Sequence, residues 1–260
     1  MYDTAVDTIL VFIQYNENQE WFGRELLGHD GKIVIAVHDV AFVVGENEPN
    51  WDEIIAVNYS NKNKYNDIIE NLKIKENEVK NLRVQKLNPL NKEQMEKTHV
   101  LMKKFAKSGL DMTPGEKEFK EPPGGINSTP EQAKLYEKKD QTNPLCMVIY
   151  NKYYDKAVYP EDYIGEDKKE NGREAYFLYG MTAFKYQGLY DSHVFLAGKY
   201  SSTVIGENQD WDDFNIVMYP SRNIMMQMYS LKRVQESIIH RHAGLKKTIV
   251  FACSPYEEYL

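Results

Sequence analysis

Three consecutive residues near the end of the chain, His240-Arg241-His242, form the densest group of titratable side chains in the sequence. Histidine can act as an acid, a base or a ligand near neutral pH, and arginine can bind a carboxylate through two hydrogen bonds. We therefore predict a substrate-facing cluster, with Arg241 and His242 as catalytic candidates and His240 and Arg241 as ligand-binding candidates. The alternatives are a metal or haem role, or a plain helix end, where cations are favoured and Gly244 follows as the C′ residue.

Further candidate side chains lie in the same half of the sequence. His193 begins a predicted strand and is both a catalytic and a ligand-binding candidate, with a rim histidine as the alternative. Arg222 follows Ser221, a predicted N-cap, and a cation there opposes the helix dipole unless an anion such as a ligand carboxylate lies nearby. Tyr179 and Tyr200 are candidates for lining a pocket, and core packing is the alternative for Tyr179.

Several classes of function are disfavoured by composition and by missing motifs. Cys146 and Cys253 are the two cysteines in 260 residues and form neither a disulfide framework nor a zinc motif, so no metal is predicted. The sequence contains no Walker, Rossmann or nucleophile-elbow motif. A net charge of −7 argues against a nucleic-acid binder and against an anionic membrane surface as partner. The N-terminus does not read as a signal peptide, so we expect a soluble, cytoplasmic protein.

An internal repeat organises the elements that must position these residues. The same pattern occurs at 43–59 and again at 204–219: a strand, the run Gly-Glu-Asn, the pair Trp-Asp, and a second strand that ends in Tyr. Because Gly-Glu-Asn indicates a turn, each copy predicts a β-hairpin. The flanking patterns predict strands at 8–13, 82–87, 145–150 and 248–253 and helices at 19–27, 61–72, 172–189 and 221–239. The second copy therefore has the order β-α-β-β-α-β, the split βαβ motif, and the first copy has a shortened first helix.

The segment between the two copies, 91–143, reads as a long connector. An amphipathic pattern predicts a helix over 91–107. Thr129-Pro130-Glu131-Gln132 combines an N-cap, a proline at the first helical position and a capping-box glutamine, so a short helix is predicted over 130–138. A partly disordered linker is the alternative interpretation of this connector.

The second copy carries several distinctive runs: Tyr179-Gly180, the strand 193–200, Val-Ile-Gly at 204–206, Trp-Asp at 211–212, Tyr-Pro-Ser-Arg at 219–222 and His-Arg-His-Ala-Gly-Leu at 240–245. Over 144–255 it resembles an uncharacterised family of the dimeric α/β-barrel superfamily. The resemblance implies a four-stranded antiparallel sheet with two helices on one face and a bare face that pairs with another such domain. The first copy has Ser-Asn-Lys at 60–62 in place of Pro-Ser-Arg, so a family-type site is expected only in the second copy.

We therefore predict an α+β fold of two ferredoxin-like (split βαβ) domains with antiparallel sheets, packed as an intrachain dimeric α/β-barrel. The predicted boundaries are 1–90 for the first domain, 91–143 for the connector and 144–260 for the second domain. Alternation in the third strand of the second copy supports this, because Phe214, Ile216 and Met218 make one face wholly apolar and such a face must be covered.

The resemblance assigns no reaction, since members of the superfamily include cofactor-free monooxygenases, haem binders and lactone isomerases. We expect a small-molecule-binding protein with a pocket between the sheets for a small apolar, carboxylate or carbonyl compound, and cofactor-independent catalysis is left open. The alternatives are a non-catalytic regulatory or interaction module and a haem-binding protein; no other cofactor is expected. The expected partner is a small molecule. The chain is expected to be an intrachain pseudo-dimer, and pairing of whole chains into a further homodimer is left open.

Overall fold

A computed structural model describes residues 7–17, 23–28, 31–106, 109–118, 120 and 126–260. The strands are β1 (Asp7–Gln14), β2 (Lys32–Val44), β3 (Glu53–Tyr59), β4 (Asn81–Pro89), β5 (Leu145–Tyr153), β6 (His193–Ile205), β7 (Asp213–Tyr219) and β8 (Leu245–Pro255). The α-helices are α1 (Gly23–Gly28), α2 (Lys62–Lys75), α3 (Lys92–Ala106), α4 (Pro130–Glu137), α5 (Gly172–Leu189), α6 (Arg222–Tyr229) and α7 (Lys232–Gly244). Part of the predicted first helix, residues 19–22, lies outside the described residues.

The eight strands form one closed antiparallel barrel in the order β1-β3-β2-β8-β5-β7-β6-β4. Its first half runs β4-β1-β3-β2 and its second half runs β8-β5-β7-β6, so the two halves have the same internal order. The ladders β2–β8 and β4–β6 join the halves. The predicted α+β class, the antiparallel pairing and both hairpins, β2–β3 and β6–β7, are thereby confirmed, while the domain boundaries stay a prediction.

Large apolar side chains fill the inside of the barrel. Phe214, Ile216 and Met218 face inward as the alternation predicted, and they belong to the same buried cluster as Phe12 and Phe251. Helices α2 and α5 to α7 cover the outer faces of the two halves. Packed side chains of the described residues therefore fill much of the space between the sheets, and the pocket predicted there stays a prediction. A separate groove lies on the outer face.

The helical segment after β7 is broken where one helix was predicted over 221–239. Its two parts, α6 and α7, meet at Leu231, which has an extended backbone with φ −81° and ψ 137°. The connector accounts for the break: the N–H of Gly115 donates to the Ser230 carbonyl at 2.8 Å, and the N–H of Lys232 donates to the Thr113 carbonyl at 3.0 Å. These non-local hydrogen bonds replace those of a continuous helix.

The connector helices agree with the prediction. Helix α3 packs against α5, and α4 packs against β2. The capping box is present, because the Thr129 hydroxyl accepts from the N–H of Gln132 and the Gln132 side chain accepts from the N–H of Thr129. The predicted neighbours Cys146 and Cys253 are also paired across β5 and β8, and both are buried free thiols. In the described part of the chain, no helix has the length and apolar character required to cross a bilayer.

Gly244 does not have the predicted role of a left-handed C′ residue, because it is the last residue of α7 and its φ is not positive. It permits a close crossing of helices: a Cβ on Gly244 would lie 2.4 Å from the carbonyl oxygen of Gly172, the first residue of α5. A Cβ on Gly172 would lie 2.2 Å from the carbonyl oxygen of Tyr154. Both contacts are with backbone atoms, which cannot move aside as a flexible side chain can.

Gly172→Ala is therefore expected to lower the free energy of unfolding by about 1–3 kcal/mol, the usual cost of overpacking. Gly180→Ala is the matched control on the same helix, since a Cβ at Gly180 meets nothing within 4 Å. It should raise the stability by about 0.5–1 kcal/mol through helix propensity. Urea unfolding of both variants measures the difference, and equal effects at the two positions would contradict the steric account.

Candidate functional site

One half-buried carboxylate in the second half of the barrel accepts hydrogen bonds from three side chains on two elements, β5 and α5. Asp213, the first residue of β7, accepts from the Tyr153 hydroxyl at the end of β5 at 2.6 Å. Its Oδ2 also pairs with Nη2 of Arg173 on α5 at 3.1 Å, and its Oδ1 accepts from Asn151 Nδ2 at 3.3 Å. The preceding residue, Asp212, accepts from the backbone N–H of Tyr153 at 2.9 Å and fixes the start of the strand. Asp213 is therefore held on the outer face of the sheet.

The protonation states in this cluster leave Arg173 as the side chain that can bind an external group. Burial raises the pKa of Asp213, while the hydrogen bond from Tyr153 and the positive charge of Arg173 favour the carboxylate form. Burial also raises the pKa of Tyr153, so its hydroxyl stays protonated and donates. The Arg173 side chain is 50% exposed, with further N–H groups beyond the one bound to Asp213. It can therefore donate to an external anion.

Beside this cluster a groove of about 480 Å³ opens between α5 and the strands β6 and β7. Its walls are mostly apolar, and Phe177, which is 62% exposed, forms part of one side. The lining also includes Leu90, Tyr153, Arg173, Lys199 and Asp213. A concave, mostly apolar space with a few convergent polar groups is the usual form of a small-molecule site.

The first half of the barrel repeats the cluster. The Tyr15 hydroxyl donates to Glu53 Oε2 at 2.8 Å, its backbone N–H donates to Asp52 at 2.8 Å, and Arg24 Nε lies 3.4 Å from Glu53 Oε1. Sequence reasoning missed both clusters. Two signals were available: Gly-Arg-Glu occurs at 23–25 and again at 172–174, and an acidic residue follows Trp-Asp in both copies.

Two of the predicted site residues on α7 have structural partners. His240 is buried, its Nδ1 lies 2.9 Å from the Tyr159 hydroxyl, and its Nε2 lies 3.1 Å from Asp167 Oδ2. Burial lowers the pKa of His240. Arg241 donates to the Ile126 carbonyl at 2.8 Å and so holds the end of the connector. His242 is also buried, and its role as a catalytic candidate stays a prediction.

The other predicted residues lie in different places. His193 is exposed at the start of β6, and its ring centroid is 5.9 Å from that of His99 on α3. Tyr200 is half-buried against the barrel interior and hydrogen-bonds to Thr203 at 2.7 Å. Tyr179 lies between helices, where its hydroxyl contacts that of Tyr229. The predicted set is thus not gathered around one pocket.

Arg222 is the remaining ligand-binding candidate. It is fully buried under the connector and donates from Nη1 to the Asp140 carbonyl at 3.1 Å. Among the described residues, its Nε and Nη2 have no hydrogen-bond partner. The predicted ligand carboxylate at Arg222 stays a prediction, and this position is separate from the groove at Arg173.

No family model matches the sequence, and no curated protein matches it. One similar solved structure is a protein of unknown function from Rhodopseudomonas palustris, 24% identical over 52% of this chain and 99% of that chain, with a TM-score of 0.46. A candidate monooxygenase from Lactobacillus acidophilus is 10% identical over 96% of this chain and 93% of its own, with a TM-score of 0.45. A mutant chlorite dismutase from Candidatus Nitrospira defluvii is 10% identical over 99% and 94%, with a TM-score of 0.42. No function follows from similarities this low.

Proposed function

We propose that the chain is a tandem pair of ferredoxin-like units forming an intrachain pseudo-dimer, and that the groove of the second unit binds a small organic anion. The observation that carries the proposal is the half-exposed guanidinium of Arg173 on the wall of a mostly apolar groove of about 480 Å³. Its position is fixed by Asp213, which is itself held by Tyr153. A guanidinium fixed in this way binds an anion without first losing side-chain freedom.

The charges lining the groove favour an anion. Arg173 and Lys199 contribute two positive charges and Asp213 contributes one negative charge, so the lining carries a net charge of +1. The whole chain carries −7, so the groove is opposite in sign to the molecule. The apolar part of a ligand would lie against Leu90 and Phe177, where burial of each methylene contributes about 0.8 kcal/mol.

Binding is favoured over a reaction, because the single carboxylate among the lining residues is already bound to Tyr153 and Arg173. The groove with its fixed Arg173 is a site for a small molecule, and it gives no support to the alternative of a non-catalytic interaction module. For the haem alternative, the groove lining contains neither histidine, cysteine nor methionine, and the hydroxyls of its two tyrosines, Tyr153 and Tyr176, are bound to Asp213 and Asn151. These residues therefore do not fit the group, and no step is assigned through it. A Soret band in the purified protein would test that alternative directly.

Arg173→Gln is expected to weaken the binding of carboxylate probes by about tenfold or more, because it removes the charge-assisted hydrogen bonds to the anion. The probes are phenylacetate and hexanoate at millimolar concentration, measured by calorimetry and by the amide shifts of Ala197 and Gly198 in the groove. Arg233→Gln is the matched control, since Arg233 is an exposed arginine on α7 outside the groove lining. Failure of both probes to bind the wild-type protein would contradict the proposed function.

A further inference from the structure

The counterpart of this groove in the first half of the barrel is occupied by the end of the chain itself. Leu90 follows β4 and donates its N–H to the Ala197 carbonyl at 2.7 Å. Tyr256 follows β8 and donates its N–H to the Ala36 carbonyl at 3.2 Å. Leu90 and Tyr256 are therefore equivalent positions, each directly after a proline that ends a strand.

The tail residues of this occupied site make a defined set of contacts. The guanidinium carbon of Arg24 lies 3.8 Å from the centroid of the Tyr256 ring, and the His38 ring lies 4.5 Å from it, centroid to centroid. The Tyr256 hydroxyl hydrogen-bonds to the carboxylate of Glu53. The carboxylate of Glu258, two residues further on, pairs with Arg24. An aromatic ring, a phenolic hydroxyl and a carboxylate thus meet one arginine and one buried acid.

Strand register shows which of these recognition groups the open groove retains. Glu53 pairs with His38 between β3 and β2, and Asp213 pairs with Lys199 between β7 and β6, so Asp213 corresponds to Glu53 and Lys199 to His38. Arg173 corresponds to Arg24, as each follows the first glycine of its helix.

The two sites differ in two ways that favour an external anion in the groove. Leu90, which is half-buried, stands where the aromatic occupant Tyr256 stands in the first half. Burial lowers the pKa of His38, which favours its neutral form, whereas its counterpart Lys199 is an exposed cation. Compared with the first-half site, the groove therefore has an equivalent arginine and an equivalent acid, one additional positive charge at Lys199, and no ring in the position of Tyr256.

We infer that the groove binds an aryl carboxylate: a planar aromatic ring over the Arg173 guanidinium, a carboxylate paired with Arg173 and Lys199, and a ring hydroxyl donating to Asp213. This inference rests on the proposed function and specifies its ligand class. The ring gains from the guanidinium as Tyr256 does from Arg24, and such a contact contributes about 0.5–2 kcal/mol. The Tyr256 ring and the Glu258 carboxylate both contact the guanidinium of Arg24, so a short linker between ring and carboxylate suffices.

The test is calorimetry of the full chain with four probes that separate the three recognition elements. Phenylacetate and cyclohexylacetate share size and charge but differ in the π face, and we expect phenylacetate to bind about three- to tenfold more tightly. 4-Hydroxyphenylacetate adds the ring hydroxyl and should bind most tightly. 4-Methylphenol lacks the carboxylate and should bind at least about tenfold more weakly than 4-hydroxyphenylacetate.

The outcomes distinguish this inference from the proposal beneath it. Equal affinity for phenylacetate and cyclohexylacetate, each weakened by Arg173→Gln, overturns the aryl ligand and leaves the small-anion function in place. No binding by any of the carboxylates overturns both. Binding of a peptide of residues 254–260, with none of the arylacetates bound, also overturns the inference, because the groove would then receive the tail of a second copy.

Discussion

Replacing Arg83 by methionine is expected to lower the free energy of unfolding by about 3–5 kcal/mol, the cost of leaving a buried carboxylate unpaired. Arg83 Nη1 lies 2.7 Å from Glu48 Oε2, and the two side chains are 8% and 3% exposed. The same Glu48 oxygen accepts from Trp51 Nε1 at 3.1 Å. The guanidinium also lies over the rings of Trp51 and Phe12, so its loss removes packing at the hairpin end of the barrel.

Two controls separate the unpaired charge from lost packing in this experiment. The double variant Arg83→Met with Glu48→Gln removes both charges, and should recover much of the lost stability. Lys97→Met breaks the ion pair between Lys97 and Glu93, which are 74% and 75% exposed, and should leave the unfolding midpoint unchanged within error. Urea unfolding measures all three variants. A loss at Arg83→Met no larger than that of the surface variant would contradict the buried pair.

The strands, turns and helix starts could be predicted from the sequence because their signals are local, whereas the pairing of the two sheets was an expectation from the repeat and the family resemblance. Gly-Glu-Asn indicated each hairpin, the alternation of Phe214, Ile216 and Met218 indicated the inward face, and Thr129 with Gln132 indicated the start of α4. Each of these patterns depends on residues a few positions apart. The break between α6 and α7 was missed for the complementary reason, because the hydrogen bonds that cause it come from Thr113 and Gly115 in the distant connector.

The candidate site could not be predicted in the same way. Tyr153, Arg173 and Asp213 come from three separate elements, and only the pairing of β5 with β7 and the packing of α5 on the sheet bring them together. Sequence reasoning favoured His240, Arg241 and His242 because adjacent titratable residues are conspicuous. Adjacent residues on a helix point in different directions, however, and of these three His240 binds Tyr159 and Asp167 whereas Arg241 binds the connector.

Leu90→Tyr is expected to abolish the binding of 4-hydroxyphenylacetate, because it restores in the groove the ring that fills the corresponding site of the first half. The introduced ring would lie against Arg173 as Tyr256 lies against Arg24, and its hydroxyl would reach Asp213. Calorimetry should show an affinity loss of at least about fiftyfold, since the whole ring volume of the ligand is excluded. Leu90→Met is the matched control, because it keeps the volume and should bind nearly as the wild type does.

The converse variant, Tyr256→Leu with Glu258→Gln, makes the first half resemble the second and should create a second binding site. It removes the ring over Arg24 and the carboxylate paired with it, while Glu53 keeps its hydrogen bond from Tyr15 at 2.8 Å. The calorimetric stoichiometry for 4-hydroxyphenylacetate should then rise from one to two per chain, and combining it with Leu90→Tyr should leave one site, now at Arg24. The ligand class is inferred from the contacts of Tyr256 and Glu258 with Arg24 and Glu53, so the same ligand should bind there once these two side chains are replaced. A stoichiometry that stays at one in the folded variant would therefore show that the two sites are not equivalent.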